Sequence, residues 1–356
     1  MRQRTTTIRD VAERAGVSVS TVSHVLNGND GHVSSAVRQR VLEVVEDLKY
    51  RPNAIARSMV KRKTATIGLV FNEIENSLFV PVIDGVNDVL QPAGYHIVLA
   101  SAPDVRSEIA AIETLRSQQV DGFIFMALSA RFATDHLVRL KEDGVPFVVI
   151  NRYVDDDDID QILLDDWGAG YSATRHLLDL GHTQIGTVSG PIYSEPPRRS
   201  AVERHRGWQQ AIEGHGLEAR PEWIIVGDYT YEGGYLAVGQ FLSRFAAREQ
   251  ERPRALFIAS DIMALGALKA LHDAGLRVPQ DIAVVGIGDP PFAQYTIPAL
   301  TTLALPMPEA GSRAAHILLD WLTNGKPARA QRITLSFAFT ARESCGARFP
   351  ARSSES

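Results

Sequence analysis

The sequence predicts an all-α helix-turn-helix head followed by a two-lobed α/β body. Residues 1–63 contain short amphipathic helical patterns and hold twelve Lys or Arg against six Asp or Glu, a net charge of +6. From Thr66 onward, short apolar β-rich runs alternate with helical ones. The residues after Lys63 carry 25 basic against 36 acidic side chains, so a basic head precedes an acidic body.

The composition excludes several classes of protein. The chain has 356 residues, and its one cysteine, Cys345, leaves no second thiol for an internal disulfide or a multi-cysteine metal site. No stretch is long and apolar enough to cross a bilayer, and the first ten residues lack the apolar core of a signal peptide. We expect a cytoplasmic protein without a cofactor, in which Cys345 is an inert thiol.

Three short amphipathic helices are predicted within the head. The first follows a capping box formed by Thr7 and Asp10 and ends at Gly16, which can adopt positive φ. Ser18 can cap the second helix, and the third runs from Ser34 or Ser35 to Leu48. Their apolar residues fall on inward faces that can form one small core: Ile8, Val11, Ala12, Ala15, Val22, Val25, Leu26, Val37, Val41, Val44, Val45 and Leu48.

Two helices joined by a tight glycine turn, in a basic context, are typical of a helix-turn-helix that presents its second helix to the major groove of DNA. In "GVSVSTVSHVLN" the outer face of that helix has short polar side chains and one imidazole, without the long Glu/Lys pairs of a solvated helix. The alternative interpretations are a solvated basic arm and an arbitrary helical hairpin.

The segment "YRPNAIARSMVKRKT" predicts a short hinge. Pro52 favours an extended entry, Asn53 can cap a helix, and "AIARSM" forms barely two helical turns, which are not stable without packing. Met59, held at a minor groove, could wedge between base pairs. A plain flexible linker is the alternative.

These residues resemble a known family. "TIRDVAERAGVSVSTVSHVLNG" and "VSSAVRQRVLEVVEDLKYRPNAIARSM" are similar to the DNA-binding head and hinge of the lactose/galactose repressor (LacI/GalR) family. The resemblance implies a homodimer on double-stranded DNA with a near-palindromic operator. Met59 falls where most members carry leucine. The DNA-binding candidates that the resemblance and the patterns above indicate are Thr7, Val19, Ser20, Thr21, Ser23, His24, Asn27, Ser34, Arg38, Asn53, Ala56 and Met59.

Within the body, seven runs are typical of buried parallel strands: "TIGLVFN", "HIVLAS", "GFIFMA", "FVVIN", "QIGTVSG", "ALFIAS" and "IAVVGIG". The acid-rich "YVDDDDIDQ" interrupts the alternation near its middle. We therefore expect two lobes with a ligand cleft at the carboxyl ends of the strands.

The resemblance continues through "HLLDLGHTQIGTVSGP", "RHRGWQQAI" and "GLRVPQDIAVVGIGD" to about residue 344. It implies the type I periplasmic-binding-protein-like fold closing around an effector. The predicted boundaries are 1–50 for the head, 51–65 for the hinge, 66–164 with 296–326 for the first lobe, 165–295 with 327–345 for the second lobe, and 346–356 for a flexible tail.

Effector contacts carry over from the family only where a motif anchors them. Carboxylate and guanidinium groups would bond hydroxyls or ring nitrogens while aromatic rings stack, which suits a sugar, a sugar derivative or a nucleobase. The candidates are Leu78, Phe79, Asp165, Trp167, Arg198, Arg204, Tyr229, Ser260, Asp261 and Asp289. Asp261 could instead cap its helix, and Trp208 is interpreted as a core residue.

One position departs from the family. In "VVGIGDPPF", Gly288 stands where the family usually has an aspartate that reaches the effector. Either Asp289 or a water substitutes, or the effector needs no acceptor there.

The motifs of common enzymes have little support. "GAGYSA", residues 168–173, spells a dinucleotide fingerprint, but the strand that follows ends without the acidic residue that would hold a ribose. The sequence has no GxxxxGK[ST], HExxH or GxSxG. We expect a non-enzymatic transcriptional repressor, nucleoid-associated when bound to its operator. The alternatives are a solute receptor without gene control and a sugar-modifying enzyme.

Overall fold

The computed structural model describes residues 6–26, 33–50, 63–72, 79–126, 134–194 and 198–347. The chain divides into two compact units, Met1–Thr64 and Ala65–Ser356. The predicted hinge helix and almost all of the predicted tail lie outside the described residues.

The head contains the three predicted helices, α1 (Ile8–Ala15), α2 (Val19–Leu26) and α3 (Ser35–Asp47). The capping box is present at the start of α1, and Gly16 ends that helix with φ 66°, a left-handed conformation that glycine adopts without steric cost. One apolar cluster holds the three helices together, with these residues at its centre: Val11, Ala12, Ala15, Val22, Val25, Val41 and Val44.

Among its described residues, the body has twelve strands: β1 (Thr66–Phe71), β2 (His96–Ser101), β3 (Gly122–Met126), β4 (Phe147–Ile150), β5 (Gln161–Leu164), β6 (Ile185–Ser189), β7 (Ile224–Val226), β8 (Ala255–Ile258), β9 (Ala283–Gly288), β10 (Thr301–Ala304), β11 (Arg332–Leu335) and β12 (Ala338–Thr340). They form two six-stranded sheets, in the orders β11-β5-β4-β3-β1-β2 and β12-β10-β9-β8-β6-β7. All pairs are parallel except β10 with β12. The seven predicted strands are all present.

The helices of the body are α4 (Phe79–Leu90), α5 (Val105–Ser117), α6 (Asp135–Glu142), α7 (Asp166–Asp179), α8 (Arg199–Gly214), α9 (Tyr231–Arg244), α10 (Asp261–Asp273) and α11 (Met307–Asn324). Three pairs pack closely along their length: α4 with α11, α7 with α8, and α9 with α10. The resulting core joins apolar residues of both lobes in one continuous cluster.

The chain passes between the two sheets three times, after Leu164, after Ala304 and after Leu335. Each of these residues ends a strand, so all three crossings leave from the carboxyl edge of a sheet. The two carboxyl edges therefore face each other across the crossings.

Two predicted lobe boundaries differ from this topology. Segment 296–326 was assigned to the first lobe, yet β10 pairs with β9 in the second sheet. Segment 327–345 was assigned to the second lobe, yet β11 pairs with β5 in the first. The physical reason is that β10 and β11 are short strands at or near sheet edges, and β11 pairs with β5, which lies far earlier in the chain. Local periodicity does not show which sheet receives them.

Close helix packing depends on glycine in the α7–α8 pair. A Cβ added to Gly170 would collide with the carbonyl oxygen of Arg204, and one added to Gly207 would collide with that of Trp167. The two helix backbones are thus in direct contact, which places Arg204 against the start of α7.

We expect Gly170→Ala to destabilise the body by about 1–3 kcal/mol, because the new methyl must displace a backbone carbonyl. Urea unfolding followed by tryptophan fluorescence measures this in the body alone, since all four tryptophans lie there. The matched control is Gly239→Ala in α9, where a Cβ has nothing within 4 Å. That variant should be neutral or gain up to about 1 kcal/mol. Equal stability of the two variants would contradict the packing argument.

Candidate nucleic-acid surface and effector cleft

A network of hydroxyl groups organises the start of α2. Ser18 Oγ accepts a hydrogen bond from the Thr21 amide at 3.1 Å and is itself hydrogen-bonded to Ser20 Oγ at 2.7 Å and to Thr21 Oγ1 at 2.8 Å. This confirms the predicted cap and fixes the first turn. Ser20 and Thr21 therefore present ordered hydroxyls.

The outer face of α2 is open to solvent. Val19 is 40% exposed, although it is a large apolar residue, and His24 is exposed one turn beyond Ser20. On the opposite face Val22 and Val25 are buried in the head core. The small, ordered and exposed side chains give α2 a shape that can approach base edges closely.

The other predicted DNA-binding residues fall into two groups. Thr7 caps α1 and donates from its hydroxyl to Asp10 at 2.8 Å, and Ser34 caps α3 by accepting from the Val37 amide at 3.4 Å. Arg38 is exposed on α3. Four further candidates lie outside the described residues: Asn27, Asn53, Ala56 and Met59.

In the body, the candidate cleft lies where the carboxyl edges of the two sheets face each other. Arg204 of α8 reaches this edge, where its Nε donates to Asp166 Oδ1 at 2.8 Å and its Nη1 donates to the Ala259 carbonyl oxygen at 2.6 Å. Both side chains of the Arg204–Asp166 ion pair are 9% exposed. The pair connects the first turn of α7, the middle of α8 and the end of β8.

Asp165 was predicted as a ligand contact, but the structure makes it a helix cap. Its Oδ1 accepts from the Gly168 amide at 2.9 Å, and the next residue, Asp166, forms the buried ion pair. Trp167 is 37% exposed, and its indole donates to Gln210 Oε1 on the outer surface of α8. Since the neighbouring residues of a helix point in different directions, only Asp166 is directed towards Arg204.

Tyr229 lies between β7 and α9 with φ 70°, which is uncommon for a non-glycine residue. Its hydroxyl is fully covered by the surrounding protein. A Cβ on Gly190 would collide with the phenol ring. The guanidinium of Arg198, the residue that precedes α8, lies 5.6 Å from the centre of that ring. Burial raises the pKa of the Tyr229 hydroxyl, which therefore stays protonated and able to donate.

Asp261 is buried, and both oxygens of its carboxylate accept hydrogen bonds. Its carboxylate accepts from Thr302 Oγ1 at 2.9 and 2.7 Å and from the Asp289 amide at 2.7 Å. Ser260 caps α10 by accepting from the Ile262 amide. Burial raises the pKa of Asp261 from 3.8 to about 7. Asp261 thus joins α10 to β10, whereas the helix cap, which was the alternative interpretation of Asp261, is made by Ser260.

Asp289, the candidate replacement for the family aspartate that is missing at position 288, also accepts hydrogen bonds with both carboxylate oxygens. Its Oδ1 accepts from Arg342 Nη2 at 2.6 Å and its Oδ2 accepts from Thr340 Oγ1 at 3.3 Å. The ion pair with Arg342 is largely buried, with side chains 19% and 20% exposed. Asp289 therefore stabilises the β10–β12 edge of the second sheet.

Two aromatic candidates belong to the core. Phe79 is 3% exposed and contacts Phe71 with ring centres 4.7 Å apart. Trp208 is fully buried and donates to the Ile185 carbonyl oxygen, in agreement with its interpretation as a core residue. Leu78 lies outside the described residues.

Both the head and the body are similar to known proteins. Residues 7–53 match the model of the bacterial regulatory proteins of the lacI family, and residues 174–345 match that of a periplasmic binding protein-like domain. The ribose operon repressor of Haemophilus influenzae is 34% identical over 319 residues, which cover 89% of this chain and 92% of that protein. The chain belongs to the lacI family.

Two further similarities extend over most of this lacI-family chain. The HTH-type transcriptional repressor PurR of Erwinia tasmaniensis is 36% identical over 322 residues, 89% of this chain and 91% of that protein. The crystal structure of the lac repressor dimer, bound to operator and the anti-inducer ONPF, superimposes with a TM-score of 0.83 at 27% identity, covering 97% of this chain and all of that chain. Head and body are therefore those of a transcriptional regulator of this family. Within the described residues, no helix of this lacI-family protein is long and apolar enough to span a membrane.

Sequence reasoning missed three side chains that contact the predicted site residues of this lacI-family protein: Asp166, Thr302 and Arg342. Asp166 directly follows the aspartate that was chosen, and no local signal separates the two until the helix start is fixed. Thr302 and Arg342 reach their partners across 41 and 53 positions of the chain. Only the assembled sheet brings them together.

The raised pKa of Asp261 predicts a pH-dependent stability. Because the folded protein holds the proton more tightly than the unfolded chain, this stabilising contribution is complete below pH 3.8 and is lost as pH rises to about 7. Relative to Asp261→Asn, which does not titrate, the wild type should lose about 2–4 kcal/mol of unfolding free energy across this interval.

Urea unfolding of both proteins at about pH 5 and about pH 8 gives this difference. Asp281→Asn is the control, because Arg277 lowers the pKa of exposed Asp281 to about 2 and leaves it charged at both values. If the difference between wild type and Asp261→Asn stays constant with pH, Asp261 does not titrate in this interval.

Proposed function

We propose that the protein is a sequence-specific DNA-binding repressor whose operator affinity is controlled by a small molecule bound between the two lobes of the body. The observation that carries this proposal is the presence, in one chain, of an exposed and hydroxyl-ordered α2 face and a two-lobed body with a polar cleft. A solute receptor would need no such head. The relatives are regulators, which supports a non-enzymatic role in the cytoplasm.

We further propose that the protein acts as a homodimer on a near-palindromic operator. The body exposes apolar side chains that a partner could cover: Ile297 is 97% exposed and Tyr295 is 76% exposed. They share a loop with Phe292, whose ring lies 6.4 Å from that of Tyr231 at the start of α9. Contiguous exposed apolar groups of this kind mark protein interfaces. The similar lac repressor structure is a dimer on its operator.

Charge separation supports the same role. The head is basic, which favours DNA through release of counterions, whereas the body is acidic and is repelled by phosphate. Specific contact with DNA is thereby restricted to the head. Selection of binding sequences from random duplex DNA, repeated at two salt concentrations, tests the proposal. Failure to enrich a palindromic sequence at either salt concentration would refute it.

Base-reading and phosphate-contacting residues of α2 should differ in their effect on sequence preference. Replacing exposed Val19 and Ser20 by Thr and Gln should change which operator is bound, since each well-placed base contact discriminates by about 1–3 kcal/mol. Ser23→Ala should weaken all operators alike, because a phosphate contact positions the helix without specifying sequence. Competitive titration against an operator library measures both effects.

The control for this experiment is Glu46→Gln, an exposed change on α3 that should leave sequence preference unaltered. Unchanged preference in the Val19/Ser20 variant would show that these residues do not read bases.

Arg204 should couple the body to its effector without contributing to DNA binding. Arg204→Ala would leave Asp166 buried and uncompensated, at a cost of about 3–5 kcal/mol. The double variant Asp166→Asn/Arg204→Gln removes both charges and keeps similar volumes. It should bind operator normally and lose the effector response, which is typically about 5- to 150-fold in affinity.

Operator titration with and without a ligand found by thermal-shift screening of sugars and nucleobases measures this coupling, and the urea midpoint of the double variant reports its folding. Arg206→Gln, on the exposed side of α8, is the control. Loss of operator binding by a folded double variant would show that the pair is structural only.

A further inference from the structure

The acid-rich segment that interrupts the alternation of strands, residues 153–161, is fixed against the first lobe. Asp156 Oδ2 accepts from Lys141 Nζ of α6 at 2.5 Å. The side chain of Gln161 bonds both backbone groups of Val154, accepting from its amide and donating to its carbonyl oxygen, each at 2.9 Å. The connection between β4 and β5 therefore has a defined position relative to the first sheet.

The first residue of this segment, Tyr153, contacts the second lobe. Its ring is partly exposed, and its hydroxyl donates to Asp155 Oδ1 at 3.4 Å. The guanidinium carbon of Arg199, the first residue of α8, lies 4.3 Å from the centre of the ring. Arg332 of β11 lies 5.2 Å from the same centre and donates to the Val154 carbonyl oxygen at 3.3 Å. Since Tyr153 and Arg332 belong to the first lobe and Arg199 to the second, this ring joins the lobes outside the three crossings.

The charges on the two sides of this contact are complementary. Four consecutive aspartates, residues 155–158, follow Tyr153 on the first lobe, whereas Arg198 and Arg199 are consecutive on the second. A guanidinium is attracted to the face of a tyrosine ring, and at exposed sites this attraction changes an equilibrium constant by about two- to fivefold. The aspartates add a negative potential that favours the approach of Arg199.

Arg199 moves together with the second lobe, because its helix is held firmly there. Helix α8 touches the backbone of α7 at Gly207 and is joined to it by the buried pair of Arg204 with Asp166. Tyr153 is held by the first lobe in the same way. A displacement of one lobe relative to the other therefore changes the distance between the Tyr153 ring and the Arg199 guanidinium.

Building on the proposed function, we infer that the interlobe contact of Tyr153 with Arg199 stabilises this arrangement of the lobes and thereby sets the operator affinity of the protein in the absence of effector. The acid-rich segment is the support that holds Tyr153 in place for this contact. Loss of the contact shifts the equilibrium between lobe arrangements about two- to fivefold, and the operator affinity changes with it.

Distances between spin labels on the two lobes of the full-length protein, measured by pulsed electron spin resonance, test the contact without DNA. The labels are attached at Glu113→Cys in α5 and Glu213→Cys in α8, both exposed, while the native Cys345 is buried. Labelled chains are diluted into unlabelled protein, so that an oligomer carries one label pair. Tyr153→Leu and Arg199→Gln should each lower the ratio of the wild-type distance to other distances about two- to fivefold. Unchanged distances in both variants overturn the inference.

The double variant Tyr153→Leu/Arg199→Gln shows whether the two residues act through one contact. It should change the distances no more than either single variant, because each single change already removes the contact. Tyr153→Phe keeps the ring and should behave as the wild type. Arg206→Gln, on the exposed side of α8, is the matched control. Additive effects of the two single variants would show that the residues act independently and would overturn the inference.

Operator titration of the same variants without effector tests the regulatory part of the inference. Both single variants should change operator affinity in the same direction by about two- to fivefold, and the double variant by no more. If the distances change and operator affinity does not, the contact does not control DNA binding and the inference is overturned. If no DNA is selected at all, the proposed function fails, and the spin-label distances still decide whether the contact joins the lobes.

Discussion

The buried ion pair between Arg204 and Asp166 is the interaction on which the organisation of the body depends. A buried guanidinium is tolerated only when its charge is compensated and its donors are satisfied. Here Asp166, in the first turn of α7, compensates the charge of Arg204. The Ala259 carbonyl oxygen, at the end of β8, accepts a second hydrogen bond from the guanidinium. Because α7 and α8 touch at Gly170 and Gly207, the pair has little freedom to separate. The geometry of the second lobe at the cleft follows from this constraint.

Three largely buried carboxylates of the second lobe share one structural role. Asp166, Asp261 and Asp289 each join elements that are distant in sequence, and together they connect helix starts to strand ends across the carboxyl edge of the sheet. Carboxylates used in this way stabilise the scaffold of the second lobe.

The head could be predicted from sequence almost completely, and the cleft only in part. The helix caps at Thr7, Ser18 and Ser34 depend only on residues close to them in the sequence. The valines of the head recur with the period of a helix, so they too can be recognised within a short segment. The buried ion pair of Asp166, the residue next to the predicted Asp165, could not be predicted locally, because the rotation of α7 depends on packing against α8. Strands β10 and β11 were assigned to the wrong lobe for the reason that also hid Arg342, because their place in a sheet is set by tertiary contacts.

The three crossings after Leu164, Ala304 and Leu335 restrict how the lobes can move. A single connection would leave the lobes free to rotate about it, whereas three connections tie them together at three places. Any movement of one lobe relative to the other must therefore be accommodated by all three connections at once.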